Sequence, residues 1–404
     1  MSRWTPSACL LLLTAVNVLN YVDRQVAYAL LPLISGELAL TDAQAGSLAS
    51  AFMVVYMVAA PPIAWFADSR GRRPWIAGGI ALWSVATAAA GLTRSFPSLF
   101  LTRALVGVGE ACYGAISPSF VAERFPPERR GWALAVFSMA IPVGSALGYA
   151  GGGWIGQHFG WRNAFFLVGL PGLLLAAVAL TLPKDEPRPA SAPWEGYRSV
   201  WSVPTFRLIT FAGAAMTFAL GGFAVWMPTF FHRAWGLPVG TAGLYFGGVT
   251  VAAGLAGSLL GGWLADRLIK TTPHAYLLIS GGGLLAGMPF AMGAIVAPNL
   301  PLSIAALFAA ETLLFLNMGP LNAAIVSVTR LETRSMAFAA NIFIIHALGD
   351  AVSPTLIGLG SDLFGLANAM LVACAALGLG GWLCLLARRR YDADAAAATA
   401  GAPA

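Results

Sequence analysis

The chain carries very little charge. Only 10% of its 404 residues are Asp, Glu, Lys or Arg, against about 25% in an average soluble domain, and the only lysines are Lys184 and Lys270. Hydrophobic residues make up 58% of the sequence, and the mean hydropathy is +0.76. This composition excludes the usual soluble classes and predicts a polytopic membrane protein with no large soluble domain.

Motifs of common enzymes and metal sites are also missing. No GxxxxGK[ST] motif occurs, which excludes ATP hydrolysis by this chain, and neither HExxH nor GxSxG is present. The four cysteines show no CxxC or Cys/His spacing, so we expect no disulfide framework and no metal. The net charge of +6 comes from arginines scattered through short loops, a pattern typical of membrane topology rather than nucleic-acid binding. An intramembrane aspartyl enzyme that pairs Asp23 with Asp350 stays an alternative without other support.

Apolar runs long enough to span a bilayer, about 20 residues each, occur twelve times. They lie at about 9–33, 43–67, 75–93, 98–121, 132–155, 163–182, 206–231, 241–264, 275–296, 302–328, 337–359 and 366–387. A polar, proline-rich stretch separates the first six from the last six. We therefore predict an N-terminal six-helix bundle (1–182), a cytoplasmic linker (183–205), a C-terminal six-helix bundle (206–390) and a disordered tail (391–404).

The positive charges predict the orientation. Eighteen Lys and Arg residues fall in the termini and loops of one face, and three, Arg94, Arg162 and Arg233, fall on the other. By the positive-inside rule both termini and the linker are cytoplasmic. The excess of arginine over lysine, with abundant alanine, points to a GC-rich bacterium and hence to its inner membrane.

The two sets of runs contain related segments. Asp68–Arg73 after the second run corresponds to Gly262–Arg267 after the eighth, and Phe159–Ala164 before the sixth run corresponds to Phe364–Ala369 before the twelfth. Both pairs occupy the same place in each half. They favour duplication of a six-helix unit, as in many transporters.

Ionisable residues inside the runs are the candidates for function, because a charge at the bilayer centre costs at least about 2.5–3.5 kcal/mol. They are Asp23, Arg24, Arg103, Glu110, Glu311 and Asp350, with His346 one turn before Asp350. Two alternatives stay open for the first four: they handle substrate or protons, or they form a buried ion-pair network that only fixes helix packing. His346 and Asp350 are likewise a packing or gating pair or a proton relay, and Glu311 is either protonated or reached by a substrate cation.

Spacing refines these candidates. Arg103 and Glu110 are seven residues apart and share one face on either side of Gly107, so a substrate group or proton site could sit between them. On the first run, polar residues recur at helical spacing and cannot face lipid: Asn17, Tyr21, Arg24 and Tyr28.

With these segments in view, the chain resembles the major facilitator superfamily and, within it, the Spinster family of lysolipid transporters. Asp68–Arg73 is similar to the superfamily signature G-x-x-x-D-R-x-G-R-R, with Ala64 and Ser69 at the first glycine and first arginine. Further similar segments are NYVDR at 20–24, RALVGVGEACY at 103–113, IPVGSALGY at 141–149, ETLLF at 311–315, HALGD at 346–350 and SPTLIGLGSD at 353–362.

The resemblance implies an all-α major facilitator fold with 12 transmembrane helices in two six-helix bundles around a central cavity that opens alternately to each side. It implies substrate contacts from Tyr21, Arg24, Arg103, Glu110 and Glu311, and proton coupling by Asp23, Glu110, His346 and Asp350. It also implies a cytoplasmic gate formed by Asp68, Arg72, Arg73, Asp266 and Arg267.

The resulting hypothesis is a secondary transporter, not an enzyme, that moves lysophospholipid-like or sphingosine-phosphate-like amphiphiles by alternating access. We expect a proton gradient to drive it without any cofactor, and we expect a membrane-embedded monomer that binds a lipid-like small molecule and no nucleic acid. The alternative is proton-driven efflux of hydrophobic drugs or metabolites. A lipid-modifying membrane enzyme is the rival from a different class.

Overall fold

The structure, a computed structural model, describes residues 4–185 and 194–400 as a succession of helices. Nineteen α-helices occur in these two stretches: α1 (Pro6–Ala29), α2 (Leu31–Leu38), α3 (Asp42–Arg70), α4 (Arg72–Ala90), α5 (Phe96–Gly114), α6 (Ser117–Ala122), α7 (Pro127–Ser138), α8 (Ala140–Leu147), α9 (Gly153–Phe159), α10 (Trp161–Ala179), α11 (Trp194–Ser202), α12 (Pro204–Trp235), α13 (Val239–Leu268), α14 (Ala275–Val296), α15 (Leu300–Phe315), α16 (Met318–Val328), α17 (Arg334–Leu348), α18 (Ser353–Phe364) and α19 (Leu366–Ala400). A π-helical turn, Gly148–Gly152, and a 3₁₀ turn, Leu331–Thr333, join neighbouring helices. No strand occurs in the described stretches.

Eleven of the helical stretches in the described residues are long and apolar enough to cross a membrane. They are Pro6–Ala29, Asp42–Arg70, Phe96–Ala122, Glu128–Phe159, Trp161–Ala179, Pro204–Trp235, Val239–Leu268, Ala275–Val296, Leu300–Val328, Leu331–Phe364 and Leu366–Thr399. The predicted third span corresponds to α4, which follows α3 after Gly71 and packs against α5 and α10. The predicted all-α membrane fold is confirmed.

Several spans are interrupted where the hydropathy pattern is continuous. Each of α2, α6, α16 and α18 begins a new helix inside or at the end of a predicted run, with a proline in its first turn: Pro32, Pro118, Pro320 and Pro354. Proline fits the first turn because its missing N–H has no intrahelical partner there. Pro171, Pro228 and Pro289 instead lie inside continuous helices. Hydropathy alone does not distinguish these two outcomes.

The chain forms two compact units, Met1–Ser191 with Ala224–Gly248, and Ala192–Phe223 with Val249–Ala404. The predicted bundles, 1–182 and 206–390, divide the chain by its internal repeat, and that division stays a prediction. Part of the predicted linker is helical, as α11, and its residues 186–193 lie outside the described stretches.

The predicted disordered tail is wrong for residues 391–400, which continue α19. Tyr391 is buried, and the Asp394 Oδ2 accepts a hydrogen bond from the backbone N–H of Thr205 at 2.9 Å. This carboxylate satisfies a free N–H at the start of α12, where the helix dipole favours a negative charge. Residues 401–404 lie outside the described stretches.

Beyond the span Pro6–Ala29, α2 is attached to the start of α10 by Glu37. Its Oε1 accepts from Arg162 Nη1 at 2.5 Å, and its Oε2 accepts from Trp161 Nε1 at 2.7 Å. The hydrogen bond from Arg162, followed by that from Trp161, lowers the pKa of Glu37 below its ordinary value of 4.5.

The Glu37 contacts predict a small pH effect on stability. Because the folded-state pKa is lowered, the pair stabilises the fold above about pH 4.5 and stops doing so as the pH falls through the folded-state pKa. The Glu37 side chain is 49% exposed, so Glu37→Gln should cost only about 0–1 kcal/mol at pH 7. In thermal unfolding in detergent, the difference in melting temperature between the wild-type protein and Glu37→Gln should narrow below pH 4.5. A difference that stays constant down to pH 3 would contradict this assignment.

Candidate functional site

Four charged side chains from α1 and α5 form two buried ion pairs in the first unit. Asp23 and Arg24 are adjacent on α1, so they point in directions about 100° apart and meet different partners. Arg103 Nη1 lies 3.1 Å from Asp23 Oδ1, and Arg24 Nε lies 2.6 Å from Glu110 Oε2. The structure therefore brings together all four residues that the sequence singled out here.

The Asp23–Arg103 pair is closed to solvent. The two side chains are 1% and 3% exposed, and Asp23 also accepts a hydrogen bond from the Thr87 hydroxyl on α4. A desolvated pair of this kind persists only if the hydrogen-bonding capacity of both ions is largely used. Asp23 is held by two neighbouring helices, which ties α1 to α4 and α5.

The Arg24–Glu110 pair is surrounded by aromatic rings. The Arg24 guanidinium carbon lies 4.8 Å from the ring centre of Phe52 and 5.2 Å from those of Tyr21 and Tyr56. At these distances the ring faces attract a cation. Glu110 is fully buried and its Oε1 has no hydrogen-bond partner, whereas the Arg24 side chain is 15% exposed. Among the four charged residues, Arg24 has the most exposed side chain.

The helix face between Arg103 and Glu110 packs closely against α3. Gly107, midway between them, lies against the backbone of α3, where an added Cβ would come within 2.5 Å of the Phe52 carbonyl oxygen. The Phe52 ring also lies 5.7 Å from the Arg103 guanidinium carbon. The α3 backbone and Phe52 occupy the space beside Gly107, and a substrate group or proton site between the two residues stays a prediction. Each residue pairs with α1.

In the second unit, Glu311 occupies a place that corresponds to that of Glu110. Both glutamates are buried, and each span is interrupted five residues further on, at Ala115 and at Leu316. Glu311 Oε1 accepts a hydrogen bond from Thr250 Oγ1 at 3.1 Å, while its Oε2 has no partner. Interrupted spans at matching places in two halves are a good indicator of a transport site.

The second unit also holds His346 and Asp350 where one span breaks. α17 ends at Leu348 and α18 begins at Ser353, and His346 Nδ1 lies 2.9 Å and 3.1 Å from the two Asp350 oxygens. Gly221 of α12 lies against Asp350, with no room for a side chain. The pair predicted at i, i+4 spacing is thus formed, and both side chains are partly exposed. Its role stays a prediction.

The residues predicted for a cytoplasmic gate have local partners. Arg72 contacts Asp68 Oδ1 at 2.9 Å through Nε and Glu123 Oε2 at 2.8 Å through Nη1. Arg73 donates to the carbonyl oxygen of Leu182 at 3.3 Å. In the other unit Asp266 is exposed, and the Arg267 guanidinium lies over the Trp263 ring at 5.4 Å. Gating by these residues stays a prediction.

Sequence inspection missed several partners in these clusters. Phe52, Tyr56, Thr87, Glu123 and Thr250 contribute rings or polar atoms that complete the contacts described above. Thr87 and Thr250 are single hydroxyls in apolar runs, and Phe52 and Tyr56 are two aromatics among many. The detectable signal was weak, since such residues become distinctive only when a charge lies beside them.

Comparison with known proteins decides the family. Residues 13–354 match the Major Facilitator Superfamily. Protein spinster homolog 1 of Bos taurus is 35% identical over 383 residues, 86% of this chain and 71% of that protein. The human protein of the same name is 34% identical with the same coverage. The chain belongs to the Spinster family of the major facilitator superfamily. A third relative, an MFS-type efflux pump of Mycolicibacterium smegmatis, is 32% identical and covers 95% of this chain and 92% of its own.

Solved structures support the same fold. A bacterial homolog of the human lysosomal transporter Spinster, inward-facing and unoccupied, superimposes with a TM-score of 0.88 at 24% identity, over 98% of this chain and 99% of that one. A D-xylose–proton symporter gives 0.73 at 16% identity, over 95% and 96% of the chains. This Spinster chain has the major facilitator fold. It is a membrane-embedded transporter, and the enzyme alternatives are set aside.

Proposed function

We propose that this Spinster transporter carries single-tailed amphiphiles with a phosphate group, such as lysophospholipids or sphingosine phosphate, by proton-coupled alternating access. The observation that carries the proposal is the state of Arg24, a partly exposed guanidinium held by one buried carboxylate and three rings. The proposal also includes a proton gradient as the energy source, a monomeric protein and a cell membrane location with both termini in the cytoplasm.

A substrate phosphate can compete with Glu110 for Arg24. Guanidinium and phosphate form charge-assisted, bidentate hydrogen bonds, which are stronger where water is scarce. The Tyr21, Phe52 and Tyr56 rings keep the Arg24 guanidinium oriented while it exchanges partners. In this scheme Arg103 acts through Asp23. Their ion pair, which is closed to solvent, holds α1 against α5 and so keeps the four charged residues together.

A proton provides the matching step. Glu110 has one oxygen on Arg24 and one without a partner, so a proton on Glu110 removes the competing charge and releases Arg24 to the phosphate. Loss of that proton restores the ion pair and expels the anion. Asp23 is next to Arg24 on α1. When Arg24 changes partner between Glu110 and the phosphate, a movement of α1 also changes the surroundings of Asp23, and this couples the two residues.

The second unit would contribute the polar groups of Glu311 and the His346–Asp350 pair. A buried carboxylate with a free oxygen is suited to an ammonium group of the substrate or to a proton. His346 and Asp350 lie at a break between two helices, where a change in protonation can alter the angle between α17 and α18. On the side of the termini, Asp68, Arg72, Arg73, Asp266 and Arg267 would open and close the pathway.

The direct test is substrate flux in proteoliposomes with a panel of lysolipids, sphingosine phosphate and hydrophobic drugs, under an imposed pH gradient. We expect uptake of phosphate-bearing lipids that depends on the gradient, with the lipid recovered chemically unchanged. Transport of drugs alone, with no lysolipid flux, would reject the proposal. That outcome would support efflux of hydrophobic compounds, the second candidate, which the relative named an MFS-type efflux pump favours.

Proton coupling makes a separate prediction about two neutral variants. Glu110→Gln and Asp23→Asn keep the size of each side chain but cannot exchange a proton, so the pH dependence of lysolipid flux should flatten in both. The measurement is initial flux from pH 5 to 8 at fixed substrate. Asp394→Asn serves as a matched control outside the cluster and should keep the wild-type profile. If both cluster variants keep that profile too, protons are coupled elsewhere.

A further inference from the structure

A polar cleft of about 290 Å³ lies within the second compact unit. It is formed by α11, the end of α16, the 3₁₀ turn that follows α16 and the last turns of α19. Its polar lining includes the hydroxyl residues Ser199, Ser202 and Thr333 and two charged residues, Arg330 and Asp394. This volume is at the lower end of the range for small-molecule sites. No residue of the charged clusters described above lines this cleft.

Two opposite charges line the cleft without pairing. Neither Arg330 nor Asp394 forms an ion pair with a residue of the described stretches 4–185 and 194–400, although both contribute to the same wall. Asp394 Oδ2 accepts from the backbone N–H of Thr205, which leaves Oδ1 for a ligand. A guanidinium and a carboxylate that share one cleft and stay apart suit a ligand that carries both a phosphate and an ammonium group.

The end of α19 that forms the cleft extends beyond the lipid chains. α19 has 35 residues, so at 1.5 Å per residue it is about 50 Å long and exceeds the hydrocarbon thickness of about 30 Å. Its charged residues are concentrated at this end, with three arginines at 388–390 followed by Asp392 and Asp394. Charges avoid the hydrocarbon. The cleft therefore lies at the level of the lipid headgroups or just outside it.

α11 places one wall of the cleft next to lipid. Trp201, which precedes the lining residue Ser202, packs against Phe206 and Phe211 of α12 with ring centres 6.2 Å and 6.0 Å apart. Phe211 belongs to the apolar span Pro204–Trp235 and is 39% exposed. Tryptophan is enriched where a membrane protein meets the headgroups. A lipid whose chains lie beside Phe211 therefore has its headgroup within reach of the cleft.

We propose that this cleft binds the phosphoethanolamine headgroup of a membrane phospholipid, with the phosphate at Arg330 and the ammonium at Asp394. The guanidinium donates charge-assisted hydrogen bonds to the phosphate oxygens, and the Ser199 hydroxyl is a further donor. The ammonium N–H groups donate to Asp394 Oδ1. The acyl chains follow the lipid-facing side of α12. This inference requires only a membrane-embedded protein and does not depend on the substrate proposed above.

The lining also predicts selectivity among headgroups. Phosphocholine carries a quaternary ammonium, which has no N–H to donate and is held in proteins by aromatic rings. None of the described residues that line the cleft is aromatic. Phosphoglycerol carries only a negative charge, which Asp394 repels. Both headgroups should therefore bind more weakly than phosphoethanolamine.

Native mass spectrometry of the full chain in detergent tests the site without substrate or proton gradient. The measurement is the affinity for the first bound lipid, with phosphatidylethanolamine, phosphatidylcholine and phosphatidylglycerol of identical acyl chains as probes. We expect phosphatidylethanolamine to bind at least about fivefold more tightly than the other two. Glycerophosphoethanolamine, the same headgroup without chains, should compete only at a much higher concentration, because it lacks the contacts beside α12.

Three variants assign the two charges. Arg330→Gln should lower the affinity for phosphatidylethanolamine about tenfold, because charge-assisted hydrogen bonds to the phosphate are lost. Asp394→Asn should remove the preference for phosphatidylethanolamine over phosphatidylglycerol, while its amide oxygen still accepts from the Thr205 N–H. Arg207→Gln is the matched control, because Arg207 is an exposed arginine near the start of α12 that does not line the cleft. It should bind all three lipids like the wild-type protein.

Equal affinities for the three lipids would overturn the site, as would an Arg330→Gln protein that binds like Arg207→Gln. Competition by glycerophosphoethanolamine at equal concentration would overturn a membrane lipid as the ligand and point to a soluble compound. Loss of phosphatidylethanolamine binding in Arg24→Ala would move the lipid to the charged cluster of the first unit and reject the cleft. Lipid affinity and lysolipid flux are separate measurements, so failure of this site is distinguishable from failure of the proposed function.

Discussion

Replacing Arg24 with alanine should, under the proposed function, lower lysolipid flux by at least about tenfold, because the proposed substrate phosphate would lose its guanidinium partner and Glu110 would be left buried without a counter-ion. The measurement is initial flux of a radiolabelled lysolipid in proteoliposomes, normalised to the amount of folded protein. The loss should persist at saturating substrate, because Arg24 must also re-form its ion pair with Glu110 each time Glu110 loses its proton.

Two variants distinguish the role of the guanidinium from that of its charge. Arg24→Lys keeps the charge but lacks the planar fork that lies among the three rings, so we expect an intermediate flux. Arg94→Ala removes an exposed arginine in the turn between α4 and α5 and should transport normally. Full flux in Arg24→Ala would show that the phosphate binds elsewhere.

Replacing Arg103 with alanine should chiefly destabilise the protein. Asp23 would lose its ion-pair partner in a place with 1% exposure, and breaking such a pair from one side costs about 3–5 kcal/mol. The measurement is the unfolding transition in detergent, by heat or denaturant, without substrate. The remaining hydrogen bond from Thr87 is too weak to hold a buried carboxylate alone.

The companion variant removes both charges. Asp23→Asn with Arg103→Met leaves no uncompensated ion, so this double variant should be considerably more stable than Arg103→Ala. Arg162→Ala is the matched control, because it breaks a pair that is 31% and 49% exposed and should cost no more than about 1 kcal/mol. Equal stability of Arg103→Ala and Arg162→Ala would refute the structural importance of the Asp23–Arg103 pair.

The sequence singled out the candidate charges because each lies in an apolar run, where a charge is costly and therefore conspicuous. It offered an ion-pair network of Asp23, Arg24, Arg103 and Glu110 as one alternative, but it did not predict which residues pair. Spacing placed Arg103 and Glu110 on one helix face on either side of Gly107, and the structure pairs each of them with α1, while α3 packs against Gly107. Contacts between helices far apart in the chain leave no trace in the periodicity of either helix.

The helix breaks show the same limit. Hydropathy treats 98–121 and 302–328 as single runs, yet both are interrupted, five residues after Glu110 and Glu311. The prolines at 118 and 320 were visible, but Pro171 and Pro289 lie in unbroken helices. Neighbouring helices decide which prolines interrupt a span, because they supply or withhold partners for the freed backbone groups.

The amino-acid sequence was sufficient to establish a membrane-spanning, all-helical transporter and its family, because hydrophobic length, the cost of charge in lipid and family motifs are all local properties of the chain. The fold was needed to show that Arg24 lies among three rings and that Asp42 meets Arg233 across 191 residues. These arrangements depend on close packing between distant segments, where a single glycine or carbonyl determines which side chains can meet.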